Sequence, residues 1–163
     1  MDLKMFQEVV KEPVIPTIIE IEGRLFPKNA IQTLPLYYLA FEQDNLELYQ
    51  MNSFFQKKNS EPLLSVKYDQ IDSFELGISQ KMEIVYSSPS ENTYLTVQIV
   101  LKDQQSLIFE CEDVSVASQL PQFLEQQQHI SLIDPLRIVF YLQQNESYHE
   151  TVSKLLNTLN EKS

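Results

Sequence analysis

The sequence predicts a mainly β domain: an antiparallel barrel or sheet of about seven strands, closed by a helix and followed by two C-terminal helices. Two observations support this fold class. Runs of alternating apolar and polar residues occur in pairs between residues 36 and 113, separated by short polar turns, which is typical of consecutive antiparallel hairpins. After Asp113, a favourable N-cap residue, the apolar residues change from the strand period to the helical period.

The strands are predicted from this alternation in chain order. A loosely helical pattern comes first, at residues 3–12, and ends before Pro13. The predicted strands are residues 17–26, 36–42, 46–51, 63–68, 71–76, 81–87, 93–102 and 106–113. Gly77 is expected to permit a bend, and the polar residues 87–92 are expected to form a loop.

Helix-capping residues predict the C-terminal elements. Pro121 interrupts the apolar pattern that follows Asp113, so we expect either a kink or a short turn with a helix starting at the proline. Asp134 and the proline after it are typical of the start of a helix over residues 136–144. Ser147 and Glu150 form a capping box ahead of the last helix.

The charge of the chain is strongly acidic, and this limits its partners. The formal net charge is −11, from 23 acidic and 12 basic side chains. Residues 103–153 carry eight acids and a single base, Arg137. Such a surface repels nucleic-acid phosphate and anionic lipid, so no nucleic-acid partner is expected, whereas a basic partner is allowed.

Glycine and cysteine usage restricts the class of protein further. Gly23 and Gly77 are the only glycines, so the sequence has no phosphate-cradling loop and no dinucleotide fingerprint, and no cofactor is expected. One cysteine allows no intramolecular disulfide. There is no signal-peptide pattern and no apolar run long enough for membrane insertion, so we expect a cytoplasmic protein.

Some of these segments resemble bacterial members of the pleckstrin-homology-like superfamily. The matching segments are residues 46–49, residues 68–75, and the hairpin 97–101 to 107–109 that leads into the helix. The resemblance covers roughly residues 15–130, and it implies a barrel that binds proteins, peptides or lipids in a bacterial cytoplasm. The chain departs from the family in lacking both a turn glycine at residues 103–105 and the basic rim of lipid-binding members, which favours a protein or peptide ligand.

The domain organisation follows from these patterns. We expect an N-terminal extension at residues 1–14 with a short helix, a pleckstrin-homology-like β domain at residues 15–130, and a C-terminal helical extension at residues 131–163.

The segment predicted to bind a partner contains Phe54, Phe55, Lys57 and Lys58. Adjacent aromatic residues on an extended backbone point in opposite directions, so both rings cannot enter one core. One ring is then available as a docking anchor, with the two lysines as a local positive patch. The alternative is a continued strand with one ring buried and the other partly covered by a terminal helix.

The residues that could perform chemistry form no convincing catalytic set. Cys111 shares a strand face with apolar residues and is expected to be buried, where a thiol is unreactive. His129 and His149 lack the spacing of metal ligands, so no metal site is expected. Glu110 and Glu112 are expected to point outward as solvated side chains, with Asp113 as a helix cap.

The predicted function is therefore a non-catalytic intracellular module that binds a protein or peptide. Two alternatives remain open: a carboxylate-dependent hydrolase acting through Glu110, Glu112 and Asp113, and an acidic regulator that occupies the basic site of a nucleic-acid-binding partner. The apolar stripe of the last helix favours packing on its own barrel, and the alternative is a homodimer through the C-terminal helices. That stripe consists of Val152, Leu155, Leu156 and Leu159.

Overall fold

The computed structural model describes residues 1–27, 37–52, 57–58, 61–127, 129–144 and 147–163. Within these ranges the chain is mainly β, which confirms the fold class predicted from the alternating residues. The described strands are β1 Ile15–Ile21, β2 Arg24–Phe26, β3 Tyr37–Phe41, β4 Asn45–Asn52, β5 Lys57–Lys58, β6 Leu64–Lys67, β7 Ile71–Val85, β8 Ser88–Leu101, β9 Ser106–Cys111 and β10 Ser131–Ile133. The described α-helices are α1 Leu3–Val10, α2 Leu120–Leu124, α3 Ile138–Gln143 and α4 Tyr148–Lys162.

Helix α1 forms at the predicted position and packs against the sheet. The Asp2 carboxylate accepts a hydrogen bond from the Met5 amide at 2.9 Å and caps the helix N-terminus. Phe6 enters the core, where its ring meets Tyr37 edge-on at 6.2 Å between centroids. The Gln7 side chain donates to the Ser106 carbonyl at 2.8 Å, so α1 is fixed to the start of β9.

The strand predicted at residues 17–26 is two strands, so that prediction is wrong in detail. Glu22 and Gly23 both have positive φ angles, of 50° and 75°, and they turn the chain so that β2 folds back on β1. A tight two-residue hairpin turn of this type requires two consecutive residues with positive φ angles. Apolar and polar residues alternate without interruption across Gly23, so the sequence pattern gave no sign of the turn.

The strands form one mixed sheet in the order β10-β7-β8-β9-β1-β3-β4-β5, with β2 also paired to β1 and β6 to β4. Three of the described pairings are parallel: β1 with β3, β1 with β9, and β10 with β7. The prediction of an antiparallel sheet of about seven strands is therefore wrong in strand number and partly wrong in direction. Alternation shows which face of a strand is buried, but it carries no information about the direction of the neighbouring strand.

The β7–β8 hairpin is longer than the sequence predicted. Gly77 lies inside β7 in register with Thr96 of β8, so it does not end the strand. A Cβ atom at Gly77 would lie 2.6 Å from the Thr96 hydroxyl oxygen, so the glycine permits close cross-strand approach. The expected loop at residues 87–92 is also wrong, because the chain turns at Tyr86 and Ser87 and is extended from Ser88 onward.

The caps predicted at Asp113 and Ser147 are confirmed, whereas α3 starts at Ile138, after Arg137, and not at Pro135 as predicted. Asp113 caps a 3₁₀ turn at Val114–Ser118, and α2 then starts around Pro121, which is the second of the two expected arrangements. The Asp134 carboxylate accepts from the Ile138 and Val139 amides at 2.8 and 2.9 Å. The capping box ahead of α4 is present.

All four described α-helices contribute side chains to the main hydrophobic core. Phe123 of α2 meets Phe41 edge-on at 5.4 Å, while Ile138 of α3 and Leu155 of α4 are fully buried. Leu156 and Leu159 also pack against this core. The apolar stripe of α4 therefore covers its own domain, as the favoured prediction stated.

A projecting hairpin as the candidate functional site

The segment predicted to bind a partner lies largely outside the described residues. Phe54 and Phe55 belong to the range 53–56, which the structure does not describe. Lys57 and Lys58 form β5, whose backbone pairs with Asn52 and Met51 of β4. The docking role of this segment stays a prediction.

A different surface, the outer half of the β7–β8 hairpin, has the exposure expected of an interaction site. We call residues 79–94 the arm. Strand β10 pairs with β7 only at Ser73–Glu75, and the pairing of β8 with β9 ends at Leu95. Beyond these points the described pairs of the arm are those between its own two strands. A two-stranded ribbon of this kind is marginally stable by itself and gains stability when a face is covered.

One face of the arm continues the apolar face of β7 that builds the core. Alternate residues Phe74, Leu76 and Ile78 are buried, and the same alternation places Met82 and Ile84 farther along the strand. Their side chains are 68% and 82% exposed. The apolar stripe of the core thus extends onto a surface in contact with solvent.

The rest of this face combines apolar and acidic groups. Tyr86 at the turn is 84% exposed, and Pro89 lies opposite Ile84 in the hairpin register. Glu91 lies opposite Met82, so its carboxylate shares the face with the apolar side chains. The face is therefore an apolar strip with a negative charge beside it.

The opposite face holds the arm on the body of the sheet through a buried glutamate. Glu110 of β9 is only 6% exposed, so the expectation of a solvated side chain is wrong. Its carboxylate accepts from the Ser79 hydroxyl at 2.6 Å and forms an ion pair with Lys81. Burial of a carboxylate is compatible with folding here because both of its oxygens have partners.

A second hydrogen-bonded group lies farther out on this face. The Glu83 carboxylate accepts from the Tyr94 hydroxyl at 2.6 Å and from the Asn92 amide at 2.7 Å. These bonds, with that of Tyr94 as the larger cause, hold the pKa of Glu83 below its ordinary value. The Lys81 ammonium also lies 5.5 Å from the centre of the Tyr94 ring. The polar face is thus internally satisfied, and the apolar face is the one available to a partner.

The three neighbouring carboxylates do not form an acid–base pair in this arrangement. Glu110 is held by Ser79 and Lys81, and Asp113 accepts from the Ser115 amide at 2.9 Å as the predicted cap. The third carboxylate, Glu112, has a raised pKa. The main cause is its partial burial, and the negative charges of Glu83 and Asp113 add to the effect. Two of the three carboxylates therefore have structural partners.

The remaining reactive residues have ordinary structural environments. Cys111 is fully buried, as predicted; its thiol donates to the Phe26 carbonyl at 3.2 Å, and burial raises its pKa to about 12. His129 is exposed and donates to the Tyr68 carbonyl at 2.6 Å, while His149 is exposed on α4. Among the residues that the structure describes, no three acidic, histidine or cysteine side chains cluster as metal ligands.

One groove of about 490 Å³ opens between the start of α1, β6 and the turn that joins β8 to β9. Its lining mixes apolar Leu64 and Val66 with Lys4, Asp103 and Gln105.

Within the described ranges no helix has the length and apolar character that a membrane span requires.

The sequence contained the apolar residues of the arm but did not indicate that they are exposed. Met82, Ile84 and Tyr86 alternate as buried residues do, so their pattern predicted a strand but not its exposure. The available clue was on the opposite strand, where residues 88–92 are polar except for Pro89 and supply few matching apolar partners.

Comparisons of the chain with protein-family models, with curated proteins and with solved structures give no match.

Proposed function

We propose that the protein is a non-catalytic binding module that docks a protein or peptide on the apolar face of the arm. The observation that supports this function is the exposure of Met82 and Ile84 on a ribbon that continues the core stripe. Burying each such side chain in an interface yields roughly 1.5–3 kcal/mol. Exposed apolar side chains grouped on one face mark interaction sites more often than scattered ones do.

The arrangement of the other face supports the same function. Ser79, Lys81 and Glu110 fix the base of the arm, and Glu83 with Tyr94 stiffens its middle. Fixing the base and the middle of the arm reduces the conformational entropy that it loses on binding, and this improves affinity. The resemblance to pleckstrin-homology-like domains and the cytoplasmic location stay predictions, and both agree with a binding module.

The proposed function is tested by photo-crosslinking in the cells that produce the protein. A photoreactive phenylalanine analogue replaces Ile84 in one variant and Val9, an exposed residue of α1, in a matched control. We expect a discrete crosslinked protein from position 84 that disappears when Met82→Ser is added, and no such product from position 9. Absence of a product from position 84, or equal products from both positions, would contradict the proposal.

A further inference from the structure

We infer that the partner of the arm is a protein or peptide with an apolar groove bordered by lysine or arginine side chains. This inference rests on the proposed function and specifies its partner. It follows from the charges that accompany the apolar face, from their positions in the hairpin, and from the area that the face offers.

The arm and the neighbouring residues at the end of β9 carry mostly acidic side chains. Residues 79–94 and 110–113 together carry five carboxylates and one ammonium group. The ammonium group belongs to Lys81, which is already paired with Glu110. The chain as a whole is also negative, with a net charge of −11. A partner that approaches the arm therefore meets a negative potential, and basic groups are attracted while acidic groups are repelled.

Glu91 places one of these charges within the apolar face itself. Because it is in register with Met82, docking on Met82 and Ile84 brings the partner against this carboxylate. A carboxylate that loses water on binding is costly unless the partner supplies a cation or hydrogen-bond donors. The partner that satisfies both the apolar side chains and Glu91 is an apolar groove with a basic edge.

A second copy of this chain satisfies these conditions poorly. Face-to-face packing of two arms would bring two Glu91 carboxylates into one interface, and each copy would add the same acidic surroundings. The area is also limiting: Met82, Ile84 and Tyr86 offer at most roughly 200 Å² each, against about 800 Å² per partner in a stable complex. A groove that encloses the ribbon gains the additional area from the strand edges.

The test selects binders from a random twelve-residue peptide library displayed on phage. Selection uses the full chain, with counter-selection on Met82→Ser/Ile84→Ser, so that the retained peptides depend on the arm. Met5→Ser/Val9→Ser is the matched control, because it removes a methionine and a β-branched aliphatic residue from the exposed side of α1. We expect arm-dependent peptides to be apolar with net positive charge, and Ile84→Ser to weaken their binding by at least about ten-fold.

A charge variant separates a local effect of Glu91 from general attraction to an acidic protein. Glu8 lies on α1 at the opposite end of β8, roughly 30 Å away at about 3.4 Å per strand residue. We expect Glu91→Gln to weaken binding of a selected peptide about three-fold in a fluorescence-anisotropy titration, and Glu8→Gln to leave it unchanged.

The possible outcomes distinguish this inference from the proposed function. Arm-dependent peptides that are neutral or acidic would overturn the basic partner and leave the binding module standing. Failure to obtain any arm-dependent peptide would count against both. A dimer in sedimentation equilibrium that is lost in Ile84→Ser would show that a second copy is the partner, and this would also overturn the inference.

Discussion

Glu83 in the middle of the arm and Glu112 beside its base have pKa values that shift in opposite directions. The pKa of Glu83 is lowered by its hydrogen bonds from Tyr94 and Asn92, whereas the pKa of Glu112 is raised mainly by burial. The pKa of Tyr94 is raised by burial and by its bond to Glu83. Because a pKa that differs between folded and unfolded chains makes stability depend on pH, the two glutamates have opposite pH dependences.

For Glu83 we predict a stabilising contribution that is lost in acid. Its lowered folded pKa means that the carboxylate stabilises the fold above the unfolded value near 4.5, and that this contribution disappears as the pH falls through the folded pKa. Glu83→Gln should lower the free energy of unfolding by about 0.5–1 kcal/mol at pH 7. Urea unfolding from pH 3 to pH 8 measures this, and a difference that does not shrink as the pH falls below 4.5 would contradict it.

For Glu112 the sign is reversed. Its raised folded pKa means that stability is highest below the unfolded value near 4.5 and decreases as the pH rises through the folded pKa. Glu112→Gln should therefore stabilise the protein at pH 7 and have little effect at pH 3. The same urea series gives the comparison, and destabilisation by Glu112→Gln at pH 7 would show that its carboxylate has a favourable partner in the fold.

At the scale of the element, close contact between Gly77 and Thr96 determines how the long hairpin packs. A methyl group at Gly77 would lie 2.6 Å from the Thr96 hydroxyl oxygen, so the Thr96 side chain or one of the two strands must then shift. Gly77→Ala should lower the free energy of unfolding by roughly 1–3 kcal/mol, and Thr96→Ala in the same chain should restore most of the loss. Thermal unfolding of the single and double variants measures the coupling; additive effects would mean that the two residues do not clash.

Helix caps and turns show what the sequence can and cannot predict about a single element. Asp113 and Ser147 predicted their caps correctly because a cap depends on contacts within one turn of chain. Asp134 was predicted as the N-cap of α3, but the helix starts later, after Arg137, and the Asp134 carboxylate accepts from the Ile138 amide from outside it. The turn at Tyr86 and Ser87 was missed because both residues have positive φ without being glycine or asparagine. Turn residues of that kind leave no compositional sign.

At the scale of the whole molecule, the class of fold was predictable and the arrangement of the strands was not. Alternation identified most of the strands, but it does not show that β1 pairs in parallel with both β3 and β9, and β9 lies far from β1 in sequence. The candidate site was less predictable still. Ile78 and Ile84 have the same residue type and strand phase, and only the extent of the neighbouring strands makes one buried and the other exposed.

The pairing of β1 with β9 has a consequence for the order in which the protein folds during synthesis. Ile15 leaves the ribosome long before Phe109, its partner in the sheet, and Leu155 of the core follows later still. The nascent chain therefore cannot close its sheet or complete its core until most of it has been made. Early segments therefore stay incompletely folded during synthesis, and the final structure is reached only after translation has passed Leu155.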